Sequence, residues 1–67
     1  MNAKELGNTF RLRRKSRKIS QKDLAEISSI GQRTLRDIEK GIANPELATL
    51  LKISEVLGME LSINIIT

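Results

Sequence analysis

Residues 20–41 read Ser20-Gln21-Lys22-Asp23-Leu24-Ala25-Glu26-Ile27-Ser28-Ser29-Ile30-Gly31-Gln32-Arg33-Thr34-Leu35-Arg36-Asp37-Ile38-Glu39-Lys40-Gly41. Ser20 is a good N-cap, and Asp23 three residues later resembles a capping box, although Asp fits there less well than Glu or Gln. Ile19 and Leu24 flank this start as a hydrophobic staple. The helix so opened carries Leu24, Ala25 and Ile27 and ends by about Ser28. Ala25 is small where two helices must cross, Ile30 plugs the angle between them, and Gly31 can take an unusual backbone angle. A second helix follows over Gln32–Lys40, with Leu35, Ile38 and Ile42 inward and Gly41 just past its end.

Upstream, the spacing of Ala3, Leu6 and Phe10 predicts a helix from about Lys4 to Arg17 with those residues as its buried stripe. Downstream, Asn44-Pro45 is a helix-start signal, with Asn as cap and Pro at the first helical position. That fourth helix runs to about Leu57, is stopped by Gly58, and carries Leu47, Leu50, Leu51, Ile53, Val56 and Leu57. After Gly58 the period changes. Met59, Leu61, Ile63 and Ile65 alternate with Glu60, Ser62, Asn64 and Ile66, the pattern of a half-buried strand. One strand in a helical chain leaves its N–H and C=O groups unpaired, and a second copy across a two-fold axis supplies the partner. The expected architecture is mainly α: four helices over residues 1–58 and a C-terminal dimerisation strand over 59–67.

Sixty-seven residues make one small domain, marginal alone. With no Cys and no His, disulfides, the usual zinc sites, Cys nucleophiles and His-based triads are excluded, which leaves oligomerisation as the expected stabiliser. A single Phe and no Trp or Tyr mean a Leu/Ile core and no stacking platform for single strands. Asp23, Glu26, Glu46, Glu55 and Glu60 are scattered, without a catalytic or metal-binding pattern, so neither enzyme activity nor a cofactor is expected. Met59 reads as core filler. The net charge of +4 is unevenly spread: residues 1–18 hold seven cations against Glu5 alone, a net +6, and the remainder is −2. Such focusing is the footprint of a polyanion. No apolar run spans a bilayer, Met1–Glu5 has no apolar core for a secretory signal, and the lack of Cys fits a reducing, cytoplasmic setting.

Two short helices joined by three or four residues containing Gly, with a basic flank, make the helix-turn-helix plan. The chain resembles the lambda-repressor-like proteins of the Xre/Cro type through Ser-Gln-x-x-Leu-Ala at 20–25, Ile30, Leu35, Ile38-Glu39-x-Gly41, Pro45, and Leu50-Leu51-x-Ile53 leading to Leu57-Gly58. The resemblance covers residues 6–58. The compact form and the trailing alternation are most similar to the HipB-type antitoxins. The departures are Lys18 where a Gly is frequent, Ser28-Ser29 for Ala-Gly, and Gly31 for a Ser or Thr cap.

The resemblance implies a homodimer on double-stranded DNA, with the helix 32–40 in the major groove of a palindromic operator, close to the chromosome or a plasmid. Gln32 would meet a base edge, where Gln pairs with adenine, and Arg33 would meet guanine or a phosphate. Arg36 and Asp37 are one turn on and exposed by the Leu35/Ile38 period, Asp37 suited to cytosine N4. Thr34, Gln21 and Lys40 would contact phosphates, as would Arg17 and Lys18 from the charge run that also holds Arg11, Arg13 and Lys15. The resemblance also makes Arg14 and Glu39 an internal salt bridge, compatible with a phosphate contact from Arg14's outer edge. Leu61, Ile63 and Ile65 would form the dimer strand. The leading reading is a transcriptional repressor that is the autoregulating HipB-like antitoxin of a toxin–antitoxin operon, with a HipA-like toxin kinase as partner; the alternatives are a stand-alone phage- or plasmid-type repressor without a toxin and an interaction-only domain that has lost DNA binding.

Overall fold

A computed structural model describes residues 1–66 of the chain, Thr67 lying outside the described residues. Four helices follow one another: α1 Ala3–Ser16, α2 Gln21–Ser28, α3 Gln32–Lys40 and α4 Leu47–Val56. Several boundaries have a local cause. Asn2 Oδ1 accepts from the Glu5 N–H at 2.8 Å and caps α1. Ser20 Oγ accepts from the Asp23 N–H at 3.0 Å and caps α2, satisfying a donor that a helix start otherwise leaves open. The α1–α2 turn closes through Lys18 at φ 56°, and α2 ends at Ser29 with φ 58°. Gly31, expected to take the unusual angle, is extended at φ −68°; Ser29 carries the left-handed step instead. Gly41 ends α3 at φ 77°.

The expected start of the fourth helix at Asn44-Pro45 is corrected. Glu46 is still extended at ψ 152°, so α4 begins at Leu47, and the first helical bonds run from Thr49 and Leu50 N–H to the Glu46 carbonyl. Pro45 stays in the loop, holding Asn44 away from helical angles.

The core is Phe10, Leu24, Ala25, Leu35, Ile38, Ile53 and Leu57, with Leu6, Ile19, Ile30, Ala43, Leu50, Val56 and Met59 packed round it. Several apolar residues expected inside are outside: Ala3, Ile27, Ile42, Leu47 and Leu51 are exposed. In α2 the buried stripe is Leu24, Ala25 and Ser28, and this rotation turns Ile27 outward. α1 and α3 cross backbone to backbone at Gly7, where an added Cβ would stand 2.0 Å from the Ile38 carbonyl oxygen. That crossing brings the basic helix against the side of α3.

The expected strand is also corrected. Residues 59–66 form neither helix nor strand within the chain. Met59 N–H still bonds the Ser54 carbonyl at 2.8 Å and Leu61 is half-buried, but Ile63, Ile65 and Ile66 are 99%, 89% and 96% exposed. The physical reason is that a β ladder needs a second backbone edge, which these residues do not find in their own chain. None of the described helices is long and apolar enough to cross a membrane.

Candidate nucleic-acid interface

α3 is divided between two duties. Leu35, Ile38 and Glu39 are buried, while Gln32, Arg33, Thr34, Arg36 and Lys40 are exposed and Asp37 is half-buried. Leu35 and Ile38 anchor the helix to the core, which leaves the polar residues on one outward face. Arg36 Nε lies 3.7 Å from Asp37 Oδ1, a pair of adjacent residues open enough for water to screen it.

Glu39 ties this helix to the rest of the fold. Arg14 Nε and Nη2 donate to its two carboxylate oxygens at 2.7 and 3.0 Å, a bidentate pair. Arg14 Nη1 donates to the Ile19 carbonyl at 2.9 Å. Arg14 and Glu39 are only 8% and 6% exposed, so the pair is largely enclosed, and three of the five guanidinium N–H groups are engaged within the fold. Gln21, at the first position of α2, donates from Nε2 to Glu39 Oε1 at 3.0 Å. A carboxylate only accepts, so this contact fixes which way the Gln21 amide faces and leaves its second N–H for an outside acceptor. Gln21 is thereby held beside α3 by the residue that holds α3 in place.

The charge run of α1 splits. Arg13 Nε donates to the Leu57 carbonyl at 2.9 Å and Arg17 Nη1 to the same oxygen at 3.3 Å. Both cations cap the C-terminus of α4, where the open carbonyls and the helix dipole favour positive charge. Arg17, expected at a phosphate, makes this contact while remaining exposed, as Lys15 and Lys18 also are. Lys4 and Arg11 instead line a groove of about 610 Å³ with Arg36 and Lys40. In the sequence Lys4 reads only as charge. Its spacing to Asn8 and Arg11 was the available signal that the three share a face.

The Helix-turn-helix family model matches residues 10–64, most of the chain. The chain belongs to the lambda-repressor-like, Xre/Cro-type helix-turn-helix family. This is a family of DNA-binding transcription regulators, not of enzymes. An uncharacterised HTH-type transcriptional regulator of Haemophilus influenzae is 51% identical over 45 residues, 67% of this chain and 46% of its own length. The immunity repressor protein of Bacillus phage phi105 is 37% identical over 57 residues, 85% of this chain and 40% of its own. The chain thus spans less than half the length of these two relatives. Among solved structures, the restriction-modification controller protein C.AhdI of Aeromonas hydrophila superposes with a TM-score of 0.83 at 28% identity, covering 87% of this chain and 88% of that one. The clp gene regulator ClgR of Corynebacterium glutamicum superposes at 0.81 and 24% identity, covering 85% of this chain and 61% of that one, which is a likeness of fold.

Proposed function

We propose that this helix-turn-helix protein is a sequence-specific repressor that binds a palindromic operator in double-stranded DNA as a homodimer. The observation that carries the reading is the outward face of α3. Gln32, Arg33, Thr34 and Arg36 are exposed on a helix whose opposite face is fixed by Leu35, Ile38 and the Arg14–Glu39 pair. In the major groove, Gln32 suits adenine and Arg33 and Arg36 suit guanine; Asp37 accepts from cytosine or restricts the register. Gln21, Thr34, Lys18 and Lys40 serve the phosphates. A phosphate accepts the N–H that Gln21 has left over.

The homodimer is supported by the tail. Ile63, Ile65 and Ile66 are apolar and uncovered, and a second copy offers the same edge and the same side chains. Leu61, Ile63 and Ile65 are the proposed contacts, and pairing sets the two α3 helices about one DNA turn, roughly 34–36 Å, apart. Of the readings open at the outset, the phage immunity repressor and the restriction-modification controller favour a stand-alone repressor. The polar outward face of α3 argues against an interaction-only domain.

The test is selection of bound duplexes from a random pool, followed by titration of Gln32→Ala against the selected site and against random DNA. A loss of about 1–3 kcal/mol on the selected site and little on random DNA is expected. Equal weakening on both would remove Gln32 from base reading, and no selected site would refute the repressor. Co-purification of a larger kinase chain would overturn the stand-alone reading in favour of the HipB-like antitoxin.

A further inference from the structure

Lys4, Asn8 and Arg11 are four and three residues apart on α1 and so share one helix face. Arg36 and Lys40, four apart on α3, stand with them along a groove of about 610 Å³ that also reaches Gln21. Lys4, Arg11 and Lys40 make no ion pair among the described residues, and Arg36 has only Asp37, at 3.7 Å. Two carboxylates also line the groove: Glu39, already engaged by buried Arg14, and Glu5, which is exposed and faces no cation at salt-bridge distance.

The geometry points to a second phosphate-binding track: this groove takes the sugar–phosphate backbone that flanks the bases read by α3, with Lys4 and Arg11 as direct contacts. Three features select a DNA strand over a small anion. The four lining cations are all exposed, which suits a chain of partly hydrated phosphates, whereas a sequestered anion needs buried donors. The cations come from two helices in rows, which suits a linear polyanion. The groove is continuous with the reading face, because Arg36, Lys40 and Gln21 border it. The opposite edge of α1 is the weaker candidate, since Arg13 and Arg17 each direct a donor to the Leu57 carbonyl. The crossing at Gly7 builds the track, by holding α1 close enough to α3 for the two rows to act together.

This inference rests on the DNA-binding reading above, but it concerns sequence-independent contacts, so it is testable on a mixed-sequence duplex. Fluorescence anisotropy titrations of the whole chain between about 50 and 200 mM KCl give the log–log salt slope, about −0.9 per neutralised phosphate. Lys4→Gln/Arg11→Gln is expected to flatten that slope by about 1–2. Arg13→Gln is expected to leave it unchanged, and circular dichroism confirms that each variant is folded. Glu5→Gln removes the groove's uncompensated negative charge and is expected to tighten binding roughly two- to fivefold at low salt; a gain of this kind has no origin in misfolding. An unchanged slope in the double variant, an equal flattening in Arg13→Gln, or no gain in Glu5→Gln would overturn the track while leaving DNA binding intact. Failure of the unaltered chain to bind any duplex would refute the repressor reading itself, and the track with it.

Discussion

Replacing Glu39 by Gln keeps the shape of the side chain and removes its charge. In the native fold its two oxygens accept three hydrogen bonds, two from Arg14 and one from Gln21. A Gln offers one oxygen and an NH2, so one donor of Arg14 or Gln21 would face another donor at about 3 Å. The Arg14 charge, 8% exposed, would lose its counter-ion. Breaking a buried pair from one side costs about 3–5 kcal/mol, and the retained acceptor puts this change near the lower end, about 3 kcal/mol. A domain of 67 residues at about 0.05–0.15 kcal/mol per residue has only about 3–10 kcal/mol in all. With a denaturant slope of about 1 kcal/mol/M, the urea midpoint followed by circular dichroism is expected to fall by about 3 M. Arg14→Met/Glu39→Leu, which leaves no buried charge, is expected to recover most of the loss while releasing Gln21 and weakening DNA binding. A shift below about 0.5 kcal/mol in Glu39→Gln would refute the reasoning, because it would mean that Arg14 does not depend on this carboxylate.

Gly7→Ala places a Cβ 2.0 Å from the Ile38 carbonyl oxygen, so the helices must part; a loss of about 3 kcal/mol is expected despite Ala's better helix propensity, and a raised melting temperature would contradict it. Lys18→Gly relieves the left-handed backbone at φ 56° and is expected to gain about 0.5–1 kcal/mol, a rise of a few degrees in Tm, while removing one exposed cation. Ser20→Ala removes the cap on the Asp23 N–H and is expected to cost about 1 kcal/mol in urea titration, with no change in base preference at matched folded fraction.

What the sequence disclosed was local. Ser20 with Asp23, and the Leu35/Ile38 period ended by Gly41, describe α2 and α3 within a few residues, because caps and periodicity act over one or two turns. The same period separated the outward polar residues of α3 from its anchor. Local signals failed where two options had equal local merit. Asn44-Pro45 can open a helix or sit ahead of one, and the extended Glu46 decides for the second. Ile27 and Ser28 are adjacent in α2, and only the packing of α2 against α3 and α4 selects Ser28 for the interior. The fate of the α1 cations was not legible for a related reason. Arg13 and Arg17 meet Leu57, some forty residues away, and Lys4 meets the end of α3 because Gly7 and Gly41 both permit a close approach. The alternation after Gly58 marked a segment in need of a partner edge, which its own chain does not contain.

The division of α3 bears on how such proteins diversify. Its anchor occupies three positions, Leu35, Ile38 and Glu39, and the vocabulary proposed for it occupies others, Gln32, Arg33 and Arg36, all exposed. Exchanges at exposed positions without a structural bond shift stability by only about 0.5 kcal/mol. A lineage can therefore drift through many vocabularies on one unchanged frame, and two copies of the gene can become mutually blind without either passing through an unfolded ancestor. Asp37 is the exception, half-buried between the two sets, so it is where a new dialect would first cost the fold something.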